Sequence, residues 1–126
     1  AAIGGLAIGV LAAFALPTRA PAALAVLLTP QGTPAAVVED YANGSVKLHL
    51  VGDIPVADGQ VPQLWTRPSL EMGTVSLGVG AGVLDGADLP APQSGQTYQI
   101  TAEPEGGSPT GRPTGPVIAT GTAIRP

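Results

Sequence analysis

Few side chains of this sequence are suited to acid–base, nucleophilic or metal chemistry. Cysteine is absent and His49 is the single histidine, so disulfides, thiolate catalysis and cysteine-ligated zinc are excluded. A metal at His49 would need further ligands, and a serine hydrolase would need Ser on a sharp turn. No Gly-x-Ser-x-Gly motif occurs. These patterns favour a solvated His49, and a hydrolase is retained only as a third hypothesis.

Carboxylates occur near two predicted loops. Glu103 precedes a Gly-Gly-Ser segment, and Glu105 is its one acidic neighbour, whereas calcium needs several oxygen ligands. We therefore expect Glu103 to accept hydrogen bonds from backbone N–H groups of the loop and to hold the turn. Asp85 and Asp88 are typical of a solvated loop. No catalytic residue, cofactor or metal site is predicted.

Two further residues have alternative interpretations. Trp65 is the single tryptophan. It is expected to fill the core between two sheets, and the alternative is that it stacks on a ligand. Arg112 lies in a loop rich in Pro and Gly, where it is either simply exposed or in contact with a partner.

The elements that position these residues are predicted to be strands. Residues 45–51 alternate between apolar and polar, with Lys47 and His49 on the outward phase. The preceding Asn43-Gly44 predicts a two-residue type I′ hairpin turn. The predicted strands are 22–28, 35–41, 45–51, 61–67, 74–84 (two strands, or one with a bulge), 97–103 and 115–124. Seven or eight short strands at this spacing predict an all-β, antiparallel β-sandwich.

The composition of the chain argues against nucleic-acid binding and against amphipathic helices. The net charge is −4 and aromatic residues make up 3% of the chain, which argues against nucleic-acid binding. Charged residues make up only 11%, so amphipathic helices would lack a polar face and strands are favoured.

The N-terminal residues 1–16 contain no charged side chain, and Pro17 and Arg19 follow. A bilayer span needs about 20 apolar residues, so this segment is predicted to be the C-terminal part of a truncated transmembrane helix. Residues 17–21 would be a linker and residues 22–126 an exported β domain. The alternative is the core of a signal peptide that ends at Ala13-Phe14-Ala15. Either segment would export the β domain.

Three motifs appear in a fixed order along the chain. They are Gln63-Leu64-Trp65, then Val75-Ser76-Leu77-Gly78, and then a loop that contains Glu103, Pro104, Gly106, Gly107, Ser108, Pro113, Thr114, Gly115, Pro116 and Val117, with Gly121 after it. Together they resemble the C-terminal, extracytoplasmic domain of the anti-sigma-K factor (RskA) family, over residues 22 to 122.

The resemblance implies a β-sandwich that is not an enzyme and whose motif residues have structural roles. It also implies the sensor half of a transmembrane anti-sigma factor. In that family a cytoplasmic domain, which would precede this sequence, holds an extracytoplasmic-function sigma factor inactive. Residues 1–16 would cross the membrane, and cleavage by an envelope protease would release the sigma factor. The alternative is a secreted or membrane-tethered binding module with no link to a sigma factor.

Overall fold

A computed structural model describes residues 20–86 and 88–126. This part of the chain contains eight strands and no helix. The strands are β1 (Ala23–Leu28), β2 (Pro34–Asp40), β3 (Ser45–Leu50), β4 (Gln60–Arg67), β5 (Val75–Val79), β6 (Gly82–Asp85), β7 (Thr97–Pro104) and β8 (Val117–Ile124). Residues 74–84, predicted as two strands or one with a bulge, supply β5 and most of β6, which Gly80 and Ala81 separate.

All eight strands belong to one antiparallel sheet in the order β5-β4-β7-β8-β1-β2-β3-β6. The prediction of an all-β antiparallel fold is confirmed, but the prediction of two separate stacked sheets is wrong. Pairs such as Leu24 with Ile124 join β1 to β8, so the ladder is not interrupted where a sandwich would divide. The sheet instead curls until its two edge strands, β5 and β6, come into contact. This contact is seen between Gly78 on β5 and Leu84 on β6, where a Cβ atom added at Gly78 would lie 3.0 Å from the Leu84 side chain.

The inner face of the curled sheet forms the hydrophobic core. Its members are mostly small or branched side chains, as expected from the scarcity of aromatic residues. The largest fully buried ones include Leu27, Leu48, Leu64 and Ile100. Since close packing of such residues leaves few voids, the core is continuous although it contains only one aromatic ring.

That ring belongs to Tyr98, whose hydroxyl donates to Asp40 Oδ2 at 2.5 Å. Burial raises the pKa of Asp40, and the Tyr98 hydrogen bond opposes this effect. Burial and the contact with Asp40 raise the pKa of Tyr98 as well. The Asp40 carbonyl also accepts from the N–H of Ala22 at 2.8 Å, so the start of the domain is joined to the same point of β2.

The β2–β3 hairpin differs from the prediction. Gly44 has φ = 93°, and no non-glycine residue in the described ranges has a positive φ, so Asn43 cannot complete a type I′ turn. Gly44 N–H donates to Tyr41 and Tyr41 N–H to Ser45, which is the three-residue loop with glycine in the bulge position. Asn43 Oδ1 accepts from both the N–H and the hydroxyl of Ser45. These local hydrogen bonds are formed with Asn43 at a negative φ.

The predicted transmembrane segment, residues 1–16, and residues 17–19 of the predicted linker lie outside the described residues. Within residues 20–86 and 88–126, no helix has the length and apolar character needed to span a bilayer.

Candidate functional site

The outer face of β4 and β7 carries a second buried cluster. Antiparallel partners share a face, and Trp65 is paired with Gln99 whereas Leu64 is paired with Ile100. Leu64 and Ile100 belong to the core, so Trp65 lies on the opposite side of the sheet. The predicted burial of Trp65 is confirmed, but its predicted position in a core between two sheets is wrong. Its side chain is fully buried on the outer face, where the loop between β7 and β8, residues 105–116, returns to the sheet.

A chain of hydrogen bonds runs from Trp65 to Glu103. The indole Nε1–H donates to Thr101 Oγ1 at 2.8 Å, and the Thr101 hydroxyl donates to Glu103 Oε2 at 2.5 Å. All three side chains are fully buried. Thr101 is both acceptor and donor, so it satisfies the indole N–H and one lone pair of the carboxylate at once.

The remaining capacity of Glu103 is used by the β7–β8 loop. Its two carboxylate oxygens accept from the Thr114 hydroxyl at 2.5 Å, from the Thr114 N–H at 3.1 and 3.3 Å and from the Gly115 N–H at 3.1 Å. These are the backbone contacts expected from the sequence. Burial favours the neutral acid, but the hydrogen bonds from Thr101, Thr114 and Gly115 outweigh it and lower the pKa to about 2. We call Glu103, Thr101, Thr114 and Gly115 the Glu103 clamp.

Gln63 ties the near end of the same loop to the sheet. Its Oε1 accepts from the Ser108 N–H at 2.8 Å, and its Nε2 donates to Ser76 Oγ on β5 at 2.7 Å. Gly107 has φ = 103°, and a Cβ atom there would lie 3.2 Å from Gln63 Oε1 and 3.0 Å from Val79. Only glycine combines this backbone conformation with so close an approach.

Gly115 brings the far end of the loop into backbone contact with β7. A Cβ atom at Gly115 would lie 1.6 Å from the Ala102 carbonyl oxygen, so no larger residue fits. One residue later, the Pro116 carbonyl accepts from the Ala102 N–H at 3.1 Å. The loop is thus closed against the sheet on both sides of the Glu103 clamp.

The tip of the loop is held by its own residues. Ser108 donates to the Arg112 carbonyl and accepts from the Thr110 N–H at 3.3 Å. Arg112 is exposed and, with Glu71 and Met72, lines a depression of about 520 Å³ between the loop tip and the β4–β5 turn.

Most of the motif residues named from the sequence meet in this region, although they belong to three strands and one loop. Leu64 and Leu77 are exceptions that point into the core. Gly78, at φ = 137°, lies against Leu84. Pro104 ends β7 and accepts from Gly107 N–H at 2.8 Å, while Gly106 turns at φ = 89°. Pro113 precedes Thr114 and borders the depression at Arg112.

The sequence named Gln63 only as part of a motif, without a role of its own, and did not single out Thr101. Each lies two residues before a selected residue, Trp65 or Glu103, on the same strand. Side chains two apart share a face, so this period was the signal that would have found both.

His49 lies elsewhere, on the outward face of β3. Its side chain is 54% exposed and its Nε2 contacts Glu39 Oε1. Tyr41 donates to Glu39 Oε2 at 2.7 Å, and this bond is the main cause of a lowered pKa of Glu39. Among the described residues no group of three or more His, Cys, Asp or Glu is placed to hold a metal ion.

The geometry of the Glu103 clamp is that of a structural fastening. An ionised carboxylate with every strong acceptor position directed at Thr101, Thr114 and Gly115 stabilises the position of the loop, and through Thr101 it also fixes Trp65. The stability of the outer cluster around Trp65 therefore depends on residues 105–116 remaining closed over the sheet.

The chain matches the model of a known protein family. The family model described as "Anti-sigma-K factor rskA, C-terminal" matches residues 1–117, which confirms the resemblance found in the motifs. No curated protein and no solved structure matches the chain.

Proposed function

Because the chain belongs to the anti-sigma-K factor rskA, C-terminal family, we propose that residues 22–126 are the extracytoplasmic sensor half of a transmembrane anti-sigma factor. The family is regulatory and not catalytic, and its name implies a sigma factor as partner. In this proposal a cytoplasmic domain that precedes this sequence in a longer protein binds an extracytoplasmic-function sigma factor. Residues 1–16 cross the cell membrane once, and residues 17–21 link them to the β domain.

The position of β1 in the sheet is the observation that supports the proposed control by proteolysis. β1 follows the linker directly and lies between β8 and β2, with β7 and β3 beyond them. Immediately after the linker, the Ala22 N–H donates a hydrogen bond to the Asp40 carbonyl at 2.8 Å. Proteases cut segments that open locally, and the chain next to the linker opens only if central strand pairs separate. In this proposal, separation of β1 lengthens the unpaired chain that follows residues 17–21, so an envelope protease cuts there more efficiently once the β domain opens.

The Glu103 clamp supplies the element whose opening would be sensed. It joins the longest loop of the domain to β7, and β7 is paired with β8, the neighbour of β1. Loss of the clamp exposes the outer cluster around Trp65, weakens β7 and so lowers the free energy needed to open β1.

The test uses the full-length protein in its native cells, with a C-terminal epitope. Trp65→Ala removes a fully buried aromatic side chain, a change that costs about 3–5 kcal/mol in cores, and should increase cleavage near residues 17–21 and raise expression from a sigma-dependent promoter. Thr122→Val, an exposed position on β8, is the control and should leave both unchanged. Equal cleavage of wild type and Trp65→Ala would show that domain stability does not govern proteolysis.

Partner identity is tested separately. The full-length protein extracted from membranes should recover a sigma factor, identified by mass spectrometry, and deletion of everything before Ala1 should abolish this recovery. Recovery of envelope proteins alone would instead support the exported binding module.

A further inference from the structure

The turn between β4 and β5 carries the most exposed large apolar side chain in the described part of the chain. Leu70 is 84% exposed, and Met72, two residues later, is 42% exposed. A single exposed leucine needs no explanation, but here two large apolar side chains share one turn.

This turn is closed by its own hydrogen bonds. Ser69 Oγ accepts from the Met72 N–H at 3.1 Å, and the Ser69 carbonyl accepts from the Gly73 N–H at 3.1 Å. Gly73 has φ = 66°, a conformation that glycine adopts without strain. Since these two hydrogen bonds lie within the turn, Leu70 and Met72 are presented to solvent by a defined structure.

Strand pairing places the turn at the end of the sheet where the chain enters the domain. Arg67, the last residue of β4, is paired with Thr97, and Thr97 with Thr122 near the end of β8. β8 and β1 are paired from Ile124 to Leu24, which lies three residues after the end of the linker. We call this end of the sheet, with residues 20–22 and 68–74, the entry end.

A depression of about 380 Å³ lies beside Leu70 at the entry end. Its lining includes Arg67, Ser69, Gln93 and Ser94. Arginine and hydroxyl groups suit phosphate oxygens. An apolar tip next to such donors is the pattern of a surface that meets lipid head groups and the first part of the acyl chains.

The rest of the chain indicates which surface this is. The sequence outside the described N-terminal boundary is 19 residues long, its first 16 residues carry no charge, and it joins the domain at Ala20, at the entry end. We propose that Leu70 and Met72 rest in the interfacial region of the bilayer, with a phospholipid head group at Arg67. This inference rests on the proposed membrane anchorage of residues 1–16. Glu71, between the two apolar residues, keeps the contact shallow because a carboxylate stays hydrated.

The experiment uses the whole chain in nanodiscs that hold one copy each, made of equal parts phosphatidylcholine and phosphatidylglycerol. Because cysteine is absent, an environment-sensitive fluorophore can be attached at one introduced cysteine. Leu70→Cys reports on the turn. Val51→Cys, another exposed apolar position (57%) that follows β3 at the opposite end of the sheet, is the matched control, and Ile8→Cys reports on the proposed anchor.

The label at residue 70 should shift its emission to shorter wavelength and be quenched by nitroxide-bearing phosphatidylcholine, while the label at residue 51 should emit as in water. Arg67→Gln should reduce the shift at residue 70. If the label at residue 8 is quenched and that at residue 70 behaves like that at 51, this inference is wrong and the proposed anchorage stands. If neither is quenched, both are wrong. A shift at residue 70 that persists without lipid would indicate a protein contact and overturn the proposal.

Discussion

The indole nitrogen of Trp65 and the hydroxyl of Thr101, 36 residues apart in the chain, are 2.8 Å apart in the fold. Through this hydroxyl the single tryptophan is connected to the carboxylate of Glu103, and Glu103 holds the returning end of the β7–β8 loop. The conformation of the β7–β8 loop and the environment of the Trp65 indole are thus physically linked. Tryptophan fluorescence can therefore report on the loop.

Replacing Glu103 with Gln should destabilise the domain. The amide keeps the shape of the side chain but loses the charge, and its NH₂ group would face donors from Thr114 or Gly115. Hydrogen bonds to charged groups contribute about 1.5–3 kcal/mol, and we expect a loss of about that size in urea denaturation. Glu105→Gln, two residues later and exposed, is the matched control. Equal stability of the two variants would contradict the role of the Glu103 clamp.

The contribution of Glu103 should depend on pH in a defined direction. Its pKa falls from an ordinary value of 4.5 in the unfolded chain to about 2 in the fold. The folded state therefore favours the ionised form, so the stabilisation is complete above about pH 5 and is lost as the pH falls toward 2.

Subtracting the stability of Glu103→Gln from that of the wild type isolates this term. The subtraction cancels Asp40, whose pKa is raised and whose effect has the opposite sign. The difference should shrink steadily between about pH 5 and pH 2. A difference that stays constant across this window would show that Glu103 is not held as an ion.

Thr101→Val tests the central link. The change keeps the branched shape but removes the hydroxyl, which leaves the buried indole N–H of Trp65 without an acceptor and removes one donor from Glu103. An unsatisfied buried donor costs about 1–3 kcal/mol, and the tryptophan emission should change. Thr122→Val, exposed on β8, should alter neither property. Unchanged emission in Thr101→Val would indicate that the indole bond is not formed in solution.

Gly115→Ala should be among the most damaging single-methyl additions in the loop. The added Cβ would meet the Ala102 carbonyl at 1.6 Å, so either the loop or β7 must move and the bonds from Thr114 and Gly115 to Glu103 must break. We expect limited proteolysis to cut residues 105–116. Gly52→Ala, where nothing lies within 4 Å of the added atom, is the control. Resistance of Gly115→Ala to cleavage, equal to that of the control, would contradict the close approach.

Local signals in the sequence determined the strands. Alternation over residues 45–51 and the turn residues around them predict β3, and similar signals predict the other strands, because side-chain period and turn chemistry are properties of neighbouring residues. The choice of hairpin turn at Asn43-Gly44 was wrong because a three-residue loop with Gly44 in the bulge position uses the same residues. Only the backbone angles of Asn43 distinguish the two.

The tertiary structure decided how the strands join and which face each side chain occupies. Whether β8 and β1 pair or separate into two sheets depends on contacts between residues such as Ile124 and Leu24, far apart in sequence. A buried tryptophan looks the same in a one-dimensional pattern whether it faces the core or lies under a loop. Trp65 is buried on the outer face, where Thr101 connects its indole to the carboxylate of Glu103, which holds Thr114 and Gly115 of the loop. The closure of this loop against β7 joins residues far apart in sequence, and such a contact leaves no periodic signal in the sequence. The family motifs identified most of the residues involved. Only the tertiary structure showed which parts of the chain these residues hold together.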